Sequence, residues 1–176
     1  MLTARGKTRW TALAAGALVL SGCASMNVNS YLAPDAGLTA GSTYNWASTN
    51  PRSTGDPRLD NNMFFEEAVQ TAVEQRLTAK GFEKSASPDL LVHVHASITQ
   101  EIVISGGERG GEPCEECTPE VYDAGTLVID LVDARTNRLV WRGWAVGSFE
   151  GIVDDQAWME RRMTETVDGI LDRLPL

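Results

Sequence analysis

Histidine occurs twice and cysteine three times in this 176-residue chain, so metal and thiol chemistry have few places to reside. Basic residues are scarce as well, 15 against 24 acidic ones, for a net charge of −9. Three of the 15, Arg5, Lys7 and Arg9, lie at the very start. From residue 23 onward 12 basic residues therefore face all 24 acidic ones. Such a surface repels phosphate backbones, and no basic cluster interrupts it, which argues against nucleic acid as a partner. Past residue 22 no apolar run approaches the ~20 residues that a membrane-spanning helix needs. The glycine-rich GGERGG segment lacks the Gly-Lys-Ser/Thr and the strand-to-helix setting of a phosphate-binding loop, and no serine sits in a nucleophile-elbow context. These absences leave no catalytic set and no cofactor motif. The expectation is a protein that is not an enzyme and carries no cofactor.

What is present begins at the N-terminus. Three cations are followed by the uncharged run from Trp10 to Leu20, a pattern that suits a secretory signal and is too short to span a bilayer. The run closes on Leu20-Ser21-Gly22-Cys23, which resembles the lipobox of bacterial lipoproteins. That resemblance implies cleavage before Cys23, diacylglycerol on its thiol and an acyl chain, palmitate in kind, on its new amine. One acyl chain anchors only marginally at ~0.8 kcal/mol per buried methylene, whereas three on one residue hold essentially permanently. Ala24 and Ser25 follow the cysteine in place of aspartate, which by similarity to sorted lipoproteins implies the outer membrane, facing the periplasm. The expected division is a signal peptide over 1–22, an acylated N-terminus and flexible tether over 23–41, and one domain over 42–176.

Periodicity supplies the elements of that domain. Ser42–Ala47 is a short strand with Tyr44 and Trp46 on one face. The three- and four-residue spacing of Phe65, Val69, Ala72, Val73 and Leu77 predicts a helix over Asn62–Lys80. Gly81 sits where a left-handed cap is expected, with Phe82 folding back on Leu77. Asp89–Ser105 alternates with period two and predicts a long strand, apolar on one face and polar on the other. Two further strands, Gly125–Asp133 and Arg138–Val146, form a hairpin around the turn ARTN, and a last amphipathic helix runs from about Asp155 to Arg173. The order β-α-β-β-β-α predicts an α+β two-layer sandwich, a largely antiparallel four-stranded sheet with two helices on one face and the other face open.

Few residues can carry chemistry. His93 and His95 point the same way from the polar face of a strand and could serve as two metal ligands, but two ligands do not make a site. Cys114-Glu-Glu-Cys117 has three readings: a zinc site shared with the histidines, a redox pair, or a disulfide trimming one loop. The zinc reading needs the loop to fold back roughly 30 Å along a strand. The redox reading is opposed by Glu112, Glu115 and Glu116, which disfavour the thiolate. An oxidising periplasm favours the disulfide. Trp141 and Trp158 suit core packing, Trp141 beside Leu139 and Ala145. Trp144 falls on the opposite face with Val140, Arg142 and Val146, where an aromatic beside an arginine suits recognition. The alternatives for Trp144 are a stack on Arg142 or cover by the tether.

The run from Gly125 to Ala145 (GTLVIDLVDARTNRLVWRGWA), with Lys80-Gly-Phe82 upstream and the segment SPDLLV opening a strand, resembles the lipoproteins grouped as domain of unknown function 4136. The resemblance spans about residues 40 to 174. It implies a lipid-anchored α+β domain in Gram-negative bacteria with no settled activity and no catalytic residues to carry over. The expected function is thus a periplasm-facing outer-membrane lipoprotein that binds an envelope protein or glycan through Arg142 and Trp144. The alternative is a periplasmic metal-binding protein using His93 and His95.

Overall fold

A computed structural model describes residues 26–47, 54, 56–60, 62–105, 118–149, 151–152 and 154–175. Cys23, Cys114 and Cys117 lie outside the described residues, and so do the signal segment and most of the cysteine loop. The elements are β1 (Asn27–Leu32), β2 (Thr43–Trp46), α1 (Met63–Ala79), β3 (Glu83–Lys84), β4 (Leu90–Ser105), β5 (Thr118–Asp133), β6 (Leu139–Ser148) and α2 (Gln156–Leu171). They form a mixed α/β fold with two helices and a six-stranded sheet in the order β1-β6-β5-β4-β2-β3.

Both helices end as their sequences require. The Asn62 side chain accepts a hydrogen bond from the Phe65 amide at 3.1 Å, and Asp155 accepts one from the Trp158 amide at 2.8 Å. Each satisfies an amide that the first turn leaves without a helical partner. At the far end of α1 the Phe82 amide donates to Leu77 O at 3.0 Å and the Gly81 amide to Thr78 O at 2.9 Å. Gly81 sits at φ +86° between them, a left-handed position that a Cβ would strain. This is a Schellman ending, and its apolar contact is made by Leu77 and Phe82, both almost wholly buried.

The sheet has six strands where four were expected, and the two additions have separate causes. Residues 27–32, placed in the tether, form edge strand β1, antiparallel to β6 from Asn27↔Val146 to Leu32↔Trp141. Asn27, Asn29 and Ser30 favour turns over strands, so the segment gives no strand signal of its own. It is held by the backbone of β6, with Ala33 N donating to Val140 O at 2.9 Å just beyond it, while Val28 packs against the core. The two-residue β3 is too short to show a period. It pairs with β2 in parallel, and β2 pairs in parallel with β4. A parallel pair needs a crossover connection, and α1 supplies it. The sheet is consequently mixed, with antiparallel pairing confined to β1-β6-β5-β4.

Two smaller differences follow from strand geometry. The strand expected from Gly125 begins at Thr118, because β4 offers backbone partners along its whole length. This takes the pair past the core, and Ile102 and Val121, opposite each other, are 66% and 57% exposed. The register also slips where Leu131 faces Trp141 but Val132 faces Leu139. That bulge resets the alternation, so Val140, expected on the open face, packs against the core, and Leu139 does not share a face with Trp141.

One face of the sheet presents Leu90, Val92, Leu127, Ile129, Leu131 and Trp141 to the helices, all of them buried. Gly143 lies in the middle of β6 on this face. A Cβ there would stand 2.5 Å from Ile170 Cγ2 and closer still to the Trp141 ring. The indole lies over the bare backbone of Gly143 and is covered from the helix side by Ile170 of α2, which explains the glycine between two tryptophans.

Candidate functional site

The face turned away from the helices carries the candidate residues. Strand register aligns them in two rows across β4, β5, β6 and β1. The first row is His93, Asp130, Arg142 and Tyr31, and the second is His95, Val128, Trp144 and Asn29. Adjacent strands lie about 4.8 Å apart, so each row crosses roughly 15 Å of surface. His93, His95, Arg142 and Trp144, singled out from alternation alone, all fall on this one face.

Arg142 is less free than expected. Its Nε donates to Asp130 Oδ1 and its Nη2 to Asp130 Oδ2, both at 2.6 Å. This parallel fork is the strong form of an arginine–carboxylate pair. The hydrogen bonds to Asp130 raise the Arg142 pKa above its ordinary value against the opposing effect of burial. The carboxylate side chain is 6% exposed, whereas that of Arg142 is 46% exposed. One side of the guanidinium is thus spent on Asp130 while the rest stays in reach of solvent.

Trp144 is half-buried, flanked by β5 at Val128 and by β1 at Asn29. Of the two alternatives to recognition, cover by the N-terminal segment is the one that the geometry partly meets, since β1 runs alongside. The guanidinium of Arg142 goes to Asp130 and not to the indole. Beside Trp144 on the edge strand, Tyr31 is 50% exposed. The face therefore offers a phenol, an indole edge, a held guanidinium and two imidazoles.

The imidazoles of His93 and His95 are stacked, with ring centroids 6.4 Å apart and planes inclined by 14°. His95 Nε2 stands 4.0 Å from Asp130 Oδ2. A metal would require a third donor, and Asp130 already accepts two hydrogen bonds from Arg142. Among the described residues no group of three or more His, Cys, Asp or Glu side chains is placed to hold a metal ion. The zinc and disulfide readings of Cys114 and Cys117, like the lipid on Cys23, fall outside the described residues.

Sequence reasoning missed Asp130 and Tyr31. Asp130 had a visible signal, a lone charge inside the apolar run TLVIDLV. A charge in such a strand needs a partner, and period two places Arg142 on the neighbouring strand. Tyr31 had none, because the strand that presents it was read as tether.

Comparison with known structures bears on the fold. A PDZ domain protein from Parabacteroides distasonis is similar at a TM-score of 0.53 and 15% identity, over 85% of this chain and 36% of that one. The chain thus spans about a third of that protein's length. Two crystal forms of a PelC dodecamer from Paraburkholderia phytofirmans align over 84% of the chain, at 14% and 12% identity and TM-scores of 0.41 and 0.45. They cover 95% and 96% of the PelC chains. No curated protein matches the chain. The model of the domain of unknown function DUF4136 matches residues 28–176, from the second residue of the edge strand to the end of the chain. With more than four-fifths of its length inside that match and the expected helices and strands in order, the chain belongs to the DUF4136 family.

Proposed function

We propose that the protein is a non-catalytic lipoprotein of the outer membrane, facing the periplasm and anchored through Cys23. In this reading it binds another envelope component, protein or glycan, through the helix-free face of the sheet. The observation that carries the reading is the cluster of Tyr31, Arg142 and Trp144, in two adjacent rows of a face that neither helix covers. Aromatics and arginine are the side chains that most often supply binding energy at interfaces. Arg142 is already oriented by Asp130, so little side-chain entropy remains to be lost on binding. The anchor rests on the lipobox at Leu20–Cys23 and on the acyl chemistry that it implies.

Photo-crosslinking in intact cells tests the surface. A benzophenone side chain at Trp144 is expected to give a discrete adduct, and one at exposed Gln70 on α1 is expected to give none. Tyr31→Ala should weaken the adduct at 144 severalfold. Adducts of equal strength at both positions, or none at 144, would overturn the assignment of the face. For the anchor, Cys23→Ala should move the protein from the membrane fraction to the soluble one, and unchanged membrane association would refute lipidation.

A further inference from the structure

The two ends of the strand order are built differently. At one end β3 is two residues long, and both of them, Glu83 and Lys84, are charged and exposed. Short length and charge are how sheet edges are kept from pairing with other chains. At the other end β1 has six residues, NVNSYL, with no charge, proline or glycine among them. All but Val28 are exposed, Tyr31 and Leu32 included. Alternate residues of an antiparallel strand bond to one neighbour, and the bond from the Ala33 amide to Val140 O fixes which. Asn27, Asn29 and Tyr31 therefore exchange bonds with β6, while the amides and carbonyls of Val28, Ser30 and Leu32 point outward. Among the described residues nothing pairs with that outer row.

We propose that the outer edge of β1 pairs with the same edge of a second copy of this chain, antiparallel and about a two-fold axis at Ser30. The row is self-complementary in that arrangement. Val28 meets the partner's Leu32, Ser30 meets the partner's Ser30, and each such pair exchanges two backbone hydrogen bonds, about six along the seam. On the helix side Val28 and Leu32 become apolar cross-strand neighbours, and on the open side Tyr31 faces the partner's Asn29. A two-fold contact uses the edge once on each copy, so assembly closes at two. Charge selects this edge for self-association. From residue 23 onward 12 basic residues stand against 24 acidic ones, so two copies repel over most of their surfaces, and β1 carries no charge to add to it. Six residues a side fall short of the ~20–30 of a standard interface, so the pair is weak when dilute and forms where copies are concentrated. It joins two helix-free faces into one, yet it needs only the strand edge and stands independently of what that face binds.

The test uses the full-length chain in intact cells, with Cys114→Ser and Cys117→Ser in every variant so that an introduced thiol reports above a low background. Ser30→Cys places a thiol on the axis, where the paired Cα atoms would stand about 5.5 Å apart. Asn27→Cys, also exposed and on the same strand, places the two thiols six residues out of register, roughly 20 Å apart. A short membrane-permeant bis-maleimide is expected to give at least tenfold more covalent dimer from Ser30→Cys than from Asn27→Cys at matched expression. Copies carrying two different tags identify that dimer as two molecules of this chain. The Leu32 amide points outward, so adding Leu32→Pro keeps the bonds to β6, removes an outward donor and should lower the Ser30→Cys dimer at least threefold. Equal dimer from both positions, or none from Ser30→Cys, would overturn the two-fold pairing. An adduct of another mass at position 30, in place of the dimer, would assign the edge to a different protein and overturn the second copy. An undiminished dimer with Leu32→Pro would overturn pairing through the backbone.

Discussion

Replacing Gly143 by alanine puts one methyl group where the Trp141 indole and Ile170 already are. The added Cβ would stand 2.5 Å from Ile170 Cγ2 and nearer still to the ring, against ordinary contact beyond about 3.4 Å. Neither neighbour is the loose end of a flexible side chain. Trp141 and Ile170 are both wholly buried, the first between sheet and helix and the second on the inner face of α2. Overpacking a core costs about 1–3 kcal/mol when the structure can shift. If the indole is expelled instead, the loss approaches the ~3–5 kcal/mol of deleting a buried tryptophan. The expected cost is therefore about 2–4 kcal/mol, a large part of the ~5–15 kcal/mol by which domains of this size are stable. Urea unfolding followed by tryptophan fluorescence should show the midpoint lowered by roughly 1 M or more. Gly37→Ala is the control, since nothing lies within 4 Å of its Cβ position, and it should stay within ~0.5 kcal/mol of the parent. Trp141→Phe combined with Gly143→Ala should cost less than the two single changes summed, because the smaller ring yields room to the methyl. A Gly143→Ala protein within ~0.5 kcal/mol of the parent would refute the account of why β6 carries a glycine there.

Three further outcomes follow from contacts already described. Arg142→Met leaves the buried Asp130 carboxylate without its fork and should cost about 1–3 kcal/mol, discounted because the arginine is half in water. Asp130→Asn together with Arg142→Met should cost less than Arg142→Met alone, and a double variant as unstable as the sum would contradict the pairing. Asp155→Ala removes the cap of α2 and should lose about 1 kcal/mol in the same assay, and an unchanged midpoint would deny the cap a role. Burial acts to raise the Glu74 pKa, but bonds from Lys84 at 2.6 Å, Gln70 at 3.1 Å and Trp46 at 2.7 Å outweigh it and hold the carboxyl below its usual range. Its contribution is present above the unfolded carboxylate range and lost as pH falls through the lowered value. Thermal unfolding should show a shallower loss of stability on acidification in Glu74→Gln than in the parent, and identical acid limbs would refute that link.

The helices were legible because their signals are local. Phe65, Val69, Val73 and Leu77 mark one stripe, and Asn62, Gly81 and Asp155 punctuate the ends within a few residues of them. The central strands were legible for the same reason, since period two in β4 assigns every side chain to a face. What escaped was set by distant partners. β1 is a strand because β6 offers it an edge, and β2 runs parallel to β4 because α1 carries the chain back across the sheet. The bulge beside Val132 depends on how two strands meet, so it has no signature in either one. At the site, alternation correctly placed His93, His95, Arg142 and Trp144 on one face. It did not show that Arg142 is tied to Asp130, because that pairing is a matter of register. The burial of Arg162 on α2 was hidden in another way. Beside the apolar stripe of Met159, Met163 and Val167 an arginine reads as surface, and only the turn of α2 toward the sheet brings it inside.

The pairing of Asn27 with Val146 has a consequence for the order of events during synthesis. The two partners lie more than a hundred residues apart, so β1 has no edge to join until β6 has been made and laid beside β5. Local units such as the β4–β5 hairpin close short loops and can form early, whereas β1 must close nearly the whole chain. Folding of this domain therefore ends with the docking of its own first strand. Until β6 has been made, the residues just after position 26 have no strand to pair with. Their capture by β6 is then the step that completes the sheet.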